Sequence, residues 1–288
     1  MPEKRTVLAL GCFDGLHLGH RDVLLCALAE AKRRGASPAC WMLTGCDHKS
    51  GGELFSPDER IGMLARIGME TVFSADFQAI RQLSCAEFVR GELLSRYGAC
   101  CVVCGENFRF GRDAAGDADT LRRLMREAGG DCTVVPKRTL YGETVSSTAV
   151  KAYLREGDPR RAAELLGSPF FIRERVSEGR HFGRTVGFPT ANQRLAPGLV
   201  RPRYGVYRTR VTLPDGSSYR ACSHLGVRPT FEENGEPILE SFLPDYHGGA
   251  LYGQALKTEL LDFIRPECRF DCANDLREQM QKDLESIR

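Results

Sequence analysis

Between Val7 and Gly35 the chain reads as an apolar run, a glycine-punctuated turn and an amphipathic helix. That order restricts the fold more than any other feature. The run Val7-Leu8-Ala9-Leu10 leads directly into Gly11-Cys12-Phe13-Asp14-Gly15-Leu16-His17-Leu18-Gly19-His20. A helical pattern follows, with Val23, Leu24, Ala27, Leu28 and Ala31 on one face and a stop at Gly35. A strand that ends in a glycine turn and feeds a helix gathers free N–H groups and the positive end of the helix dipole at one spot, which favours an anion. The same alternation recurs. Strand-like runs lie at 6–10, 39–43, 71–73, 99–104 and 132–135, with helical patterns at 21–34, 57–67, 85–97 and 120–128 between them. Pro57 behind Ser56 reads as a first-turn proline after an N-cap. Gly35, Gly68, Gly98 and Gly129 stand where helices should stop. Alternating strand and helix predicts an α/β, Rossmann-like parallel sheet with covering helices, whose ligands bind beyond the carboxyl ends of the strands.

The pattern changes in the second half. Short helices are expected at 147–155 and 159–166, and then short apolar or alternating runs at 170–176, 206–213, 218–225, 238–243 and 255–264. Pro214-Asp215-Gly216-Ser217 is a hairpin signal. These runs predict a small antiparallel β-barrel or sandwich, closed by an amphipathic helix over 274–287. The expected division is therefore 1–167 and 168–288.

Composition narrows the partners. The formal net charge is only +2, so phosphate affinity must be local and no nucleic-acid or anionic-membrane partner is expected. No apolar run reaches the roughly 18 residues of a spanning helix, and the N-terminus lacks the apolar core of a signal peptide. A cytoplasmic protein with reduced thiols is expected, working as a monomer or in weak self-association. Cys100, Cys101 and Cys104 resemble a metal cluster at first glance. They flank Val102-Val103 in a strand, where positions three apart point to opposite faces, and no second cysteine or histidine pair completes a tetrahedral set. They read as packing residues, as do Cys268 and Cys272.

His17 and His20 can both reach a triphosphate on the helix N-terminus and stabilise charge that builds on the α-phosphate. The plainer alternative has one histidine capping the helix and the other on the surface. Gly105-Glu106-Asn107-Phe108-Arg109-Phe110-Gly111 follows another strand end; it is a second binding string or a turn with a stapling Phe pair. Ser146-Ser147-Thr148, with Lys151 one turn on, is an N-cap or a phosphate clamp. Neither Walker A nor GxGxxG occurs, which argues against P-loop enzymes and dinucleotide dehydrogenases. The string 179–192 is too glycine-rich for a plain strand and is expected to be a loop around an anion. Its Thr190 and Asn192 offer neutral oxygens suited to a magnesium ion that keeps several waters. Glu240, inside the apolar run 238–243, is an outward strand residue or a general base for a hydroxyl.

From about Val7 to Phe270 the chain resembles the bacterial bifunctional riboflavin kinase/FAD synthetase family, string by string and in family order. GCFDGLHLGH, GENFRFG and SST resemble its adenylyltransferase half. GRTVGFPTAN, LGVRPTF at 225–231, Glu240, Leu251-Tyr252-Gly253 and Ile264-Arg265-Pro266-Glu267 resemble its kinase half. The resemblance implies two ATP-dependent reactions: riboflavin to FMN in the C-terminal barrel, then FMN to FAD with release of pyrophosphate in the N-terminal domain. It implies Glu240 as kinase base, magnesium and ATP on Thr190 and Asn192, and the triphosphate on His17 and His20. It also implies nucleotide or flavin contacts from Gly11, Phe13, Asp14, Gly15, Gly19, Asn107, Ser147, Thr148, Lys151, Gly183, Gly187, Pro189 and Arg265.

The chain departs from the family at four places. The loop usually read Thr-Phe-x-Pro-His-Pro is here Thr44-Gly45-Cys46-Asp47-His48-Lys49. Two arginines of the third string are Ala149 and Lys151, and lysine lacks the bidentate fork that matches phosphate. An asparagine before LGVRPTF is His224, and a glycine is Glu174. Two alternatives follow: a riboflavin kinase with a weak or altered adenylyltransferase half, and a catalytically decayed flavin- or nucleotide-binding protein.

Overall fold

A computed structural model describes residues 5–45, 51–177, 190–227, 237–268, 270 and 272–287. The chain divides into two compact units, Met1–Ser147 and Thr148–Arg288. This division falls before the helices at 147–166, whereas the sequence expectation placed it after them.

The first unit is a five-stranded parallel sheet of order β3-β2-β1-β4-β5. Its strands are β1 (Thr6–Gly11), β2 (Ser37–Thr44), β3 (Thr71–Asp76), β4 (Ala99–Gly105) and β5 (Asp131–Val135). The three central strands, β1, β2 and β4, are apolar almost throughout because both of their faces are covered, whereas the edge strands β3 and β5 are only partly buried. Leu8, Leu10, Trp41, Val102 and Cys104 pack into one buried cluster. Val7, Ala9, Met42, Cys101 and Val103 pack into the other. Cys101 and Cys104 thus lie on opposite faces, and the Cys100 Sγ–H reaches the Thr6 carbonyl at 3.3 Å. The chain turns one way from β1 to β2 and the other way to β4, so the switch point lies between the carboxyl ends of β1 and β4.

Local signals explain most helix limits. Helix α1 (Leu18–Arg34) ends at Gly35, whose φ of 60° a side chain would resist. It starts three residues earlier than the periodicity predicts, inside the glycine string, so His20 sits in its first turn. Helix α2 (Pro57–Ile67) opens with Pro57 behind Ser56, whose Oγ accepts from the Glu59 N–H at 3.3 Å. A turn α3 (Phe77–Ile80), capped by Asp76, follows β3. The expected helix at 85–97 is a single α-turn, α4 (Cys85–Glu87), continuing as a π-helix over Phe88–Arg96. Periodicity read the buried face, Phe88, Val89 and Leu93, but not the wider winding. Helix α5 (Ala118–Glu127) precedes β5, and a short hairpin, β6 (Thr139–Leu140) and β7 (Glu143–Thr144), precedes α6 (Ser147–Glu156).

The second unit begins with α6 and α7 (Pro159–Leu166) and ends with α8 (Ala273–Ser286). Between them β8 (Phe171–Ser177), β9 (Thr190–Arg194), β10 (Gly205–Thr212), β11 (Ser218–Val227), β12 (Pro237–Phe242) and β13 (Ala255–Arg265) form a closed antiparallel barrel, ordered β10-β11-β12-β9-β8-β13. Thr190 and Asn192 therefore lie on a barrel strand and not in a loop, which corrects the expectation for the end of the glycine-rich string. Ala191 and Gln193 alternate with them and face inward. The Pro214–Ser217 turn forms as read: the Leu213 N–H donates to Ser217 O at 2.9 Å, and Asp215 Oδ1 accepts from the Ser217 N–H at 2.9 Å.

The barrel interior is partly polar. Gln193, Thr209, Ser223, Ser241 and Thr258 are 0–1% exposed. They satisfy one another: Thr209 Oγ1 and Ser223 Oγ are 2.7 Å apart, as are Ser223 Oγ and Ser241 Oγ. Thr258 Oγ1 donates to Gln193 Oε1 at 2.6 Å.

At the start of β10, Gly205 has φ 149° and a Cβ there would lie 2.3 Å from the Arg265 carbonyl oxygen. Gly205→Ala should lower the midpoint of thermal unfolding of the barrel by about 10 °C, through overpacking and a backbone only glycine tolerates. An unchanged midpoint would refute the close approach.

Candidate functional site

The N-terminal site is built at the end of β1. The Gly11–His20 turn uses strained backbone: Phe13 and Leu16 hold φ of 50° and 44°, and Gly15 holds 86°. Non-glycine residues in that region cost about 1–3 kcal/mol each and persist only when their surroundings fix them. Three ties do so. Arg60 Nη1 donates to the Cys12 carbonyl at 2.8 Å. The Leu54 N–H donates to Asp14 Oδ1 at 2.7 Å. The Ser147 hydroxyl donates to the Asp14 carbonyl at 2.7 Å. Ser147, read from the sequence as a cap or clamp, therefore grips the turn itself.

His17 is the N-cap of α1, and its Nδ1 accepts from the His20 N–H at 3.2 Å. The plainer alternative is thus half right, but capping fixes the chemistry. With Nδ1 accepting, the neutral ring carries its proton on Nε2 and offers a donor without a charge. The His17 and His20 rings stack at 3.6 Å, and Phe13 lies 5.3 Å from His20. Burial pushes the His17 pKa down to about 4, and burial, His17 and Arg60 together push His20 well below its usual range. Both rings are neutral at pH 7, presented over the first turn of a helix.

The His17 shift has a consequence for stability. The folded state binds the proton more weakly than the unfolded chain, whose histidine titrates near 6.5. Its contribution is therefore complete above pH 6.5 and is lost as pH falls towards 4 and below. The loss between pH 7 and 4 should be about 3 kcal/mol. His17→Asn keeps an N-cap without a titrating ring, so its pH slope over this range should be flatter by that amount. Trp41, the one tryptophan of the chain and buried in this unit, reports the unfolding by fluorescence. Equal slopes for the two proteins would contradict the assignment.

Asn107 is exposed beyond β4, across the switch point from the histidines, and its Oδ1 lies 3.0 Å from where a Cβ at Gly105 would stand. Phe108 and Phe110 stack at 5.9 Å, the stapling pair that the sequence allowed. Thr148 is exposed, whereas Lys151, on α6, is 2% exposed.

In the barrel, Glu240 on β12 stands opposite Asn192 on β9 and opposite His224 on β11. Directly opposed residues of antiparallel strands project to one face. Their neighbours Gln193, Ser241 and Ser223 are the interior ones, so Asn192, Glu240 and His224 form a row on the outer face. Asn192 is only 7% exposed and Glu240 is half-buried, so this row is sheltered. Asn192 Nδ2 donates to the Thr190 carbonyl at 3.3 Å. His224 Nε2 lies 3.0 Å from Glu267 Oε1. This row was invisible in the sequence, because it depends on strand register. Arg265 is engaged elsewhere: it pairs with buried Asp283 of α8 at 2.7 Å and ties that helix to β13. Gly183, Gly187, Pro189, residues 46–49 and residues 228–231 lie outside the described residues.

A switch-point turn with two stacked imidazoles, and a separate closed barrel with a sheltered carboxylate–amide row, define a two-part nucleotide-dependent transferase. Comparison with known families fixes the particular one. The FAD synthetase family matches residues 1–149, and the riboflavin kinase family matches residues 166–288. The bifunctional riboflavin kinase/FMN adenylyltransferase of Bacillus subtilis is 32% identical, over 99% of this chain and 93% of the relative. The proteins of the same description from Pseudomonas fluorescens and Escherichia coli K12 are 34% and 33% identical, over 100% and 98% of this chain and 94% and 91% of theirs. A crystal structure described as a macrolide-efflux protein from Streptococcus pneumoniae superposes with a TM-score of 0.88 at 28% identity, covering 100% of this chain and 95% of that one. Among the described residues no helix is long and apolar enough to cross a membrane. The chain belongs to the bifunctional riboflavin kinase/FMN adenylyltransferase family. It is a transferase with a kinase half and a nucleotidyltransferase half.

Proposed function

We propose that the work divides by residue as follows, with 1–167 adenylylating and 168–288 phosphorylating. In the barrel half, Glu240 takes the proton of the riboflavin 5′-hydroxyl as that oxygen attacks the γ-phosphorus of ATP; ADP leaves and FMN remains. Asn192 and Thr190 hold the nucleotide phosphates and magnesium. Their neutral oxygens suit that ion, which needs few protein ligands when phosphates and waters supply the rest. Magnesium, when bound, neutralises charge on the transferring phosphate.

In the N-terminal half an FMN phosphate oxygen attacks the α-phosphorus of a second ATP, and pyrophosphate leaves. The His17 Nε2–H donates to the triphosphate while Gly11, Phe13, Asp14, Gly15 and Gly19 shape the turn that receives it. Ser147 acts by holding that turn. Asn107 meets the nucleotide or flavin from the β4 side. Catalysis is positioning plus electrostatics, with no covalent intermediate. The observation that carries this reading is the His17–His20 stack on the first turn of α1, at the sheet's switch point. On this reading the protein works in the cytoplasm, where ATP and its flavin substrates are at hand and thiols stay reduced.

The test is to incubate the protein with riboflavin, ATP and magnesium and to resolve the flavins by chromatography. FAD is the expected end product. FMN alone would mean that the altered 44–49 loop or Lys151 has disabled the second reaction, and unchanged riboflavin would overturn the reading.

A further inference from the structure

The buried guanidinium of Arg60 has no role in the reactions above. It lies in the first turn of α2 and is 0% exposed. Its Nη2 donates to Glu53 Oε1 at 2.6 Å while Nη1 holds the Cys12 carbonyl at 2.8 Å. Its Nε is buried without a hydrogen-bond partner among the described residues. Burying a cation costs several kcal/mol, and one carboxylate plus one carbonyl offset that incompletely. A core built for stability alone would be served as well by an apolar side chain of similar volume. The carbonyl it holds directly precedes Phe13, the first strained residue of the turn. The segment that carries it also supplies the Leu54 N–H to Asp14.

Accepting His17 and His20 as the triphosphate site, we propose that Arg60 is a positioning residue for adenylyl transfer, acting through the Cys12 carbonyl to hold the 11–20 turn in its anion-binding form. Full burial excludes direct contact with substrate. The planar fork explains why arginine stands here: it reaches two acceptors at once, which an ammonium on one stem does not match. Its guanidinium is paired with the Glu53 carboxylate, so it serves the turn by holding it and not by adding net charge. It also disfavours a proton on His20, on which His17 is the other titratable group that acts.

The experiment compares R60M and R60K with the parent protein, measuring kcat and KM for FMN adenylylation from pH 5 to 8. Riboflavin phosphorylation and Trp41 fluorescence are followed in the same samples. R60M should lose about 100-fold in kcat/KM for adenylylation, the effect of a small misplacement of a bound reactant, with phosphorylation unchanged. Its acid limb should move upward in pH, since His20 then protonates more readily. R60K keeps the charge but not the fork: its acid limb should stay in place while kcat/KM falls by an intermediate factor. A merely structural arginine would give equal losses in both variants and no movement of the acid limb. Adenylylation at parental kcat/KM in a folded R60M overturns the inference; if R60M does not fold, parental kcat/KM in R60K does so. A parallel His17→Ala assay separates the two ideas. Retained adenylylation there removes the site reading, whereas its loss alongside active Arg60 variants removes only the role of Arg60.

Discussion

His17→Ala is expected to abolish FAD formation from FMN and ATP while riboflavin phosphorylation by the same protein continues at its parental rate. Two effects combine at this position. The ring's Nε2–H is a neutral donor aimed from a capped helix start, and removing one such donor to a developing oxyanion costs about 100- to 1,000-fold in rate. The ring also caps α1, and losing a cap costs about 1 kcal/mol of stability. The second effect is small beside the first and is visible separately, because Trp41 lies in the same unit. His17→Asn restores a cap without restoring the imidazole, so it should recover stability but not adenylylation. Adenylylation by His17→Ala within about threefold of the parent would remove His17 from the chemistry.

Glu240→Gln is expected to have the reverse selectivity. Glutamine keeps the size of the side chain and its place between Asn192 and His224 in the sheet. What is lost is a carboxylate able to accept a proton, and general-base catalysis contributes about 100- to 10,000-fold. Riboflavin should therefore remain unphosphorylated, yet FMN supplied to the variant should still become FAD. Undiminished FMN formation would return Glu240 to the status of an outward strand residue. FMN formation retained at a few per cent would still accord with loss of a base.

The two halves differed in how much of their sites could be read from residues alone. The parallel sheet was legible because its central strands are short and continuously apolar and its helices carry their own punctuation at Ser56, Pro57, Gly35 and Gly68. The phosphate turn was legible because its strand, its glycines and its helix start are contiguous. What holds that turn was not. Arg60, Glu53 and Leu54 approach from 40 or more residues away, and an arginine in a helical pattern ordinarily signals a solvated face. The barrel site was harder still. Thr190 and Asn192 follow a glycine-rich string, and only strand pairing shows that they alternate with inward Ala191 and Gln193. Glu240 was recognisable as an anomaly in an apolar run, but its neighbours on either side come from other strands. The π-helical winding at 88–96 leaves the buried pattern of a helix intact, so it left no mark in the periodicity.

The hydroxyl chain inside the barrel works as a vernier for strand alignment. Sliding β12 along β11 by one residue would turn its polar residues outward and is excluded by burial alone. Sliding it by two keeps every face correct, and an all-aliphatic interior would tolerate it. Here the slip would set Leu239 against Ser223 in place of Ser241, leaving buried hydroxyls unpaired at about 1–3 kcal/mol each. It would also carry Glu240 away from Asn192 and His224. The oxygen atoms in the wall's interior thereby dictate which residues meet on its outside.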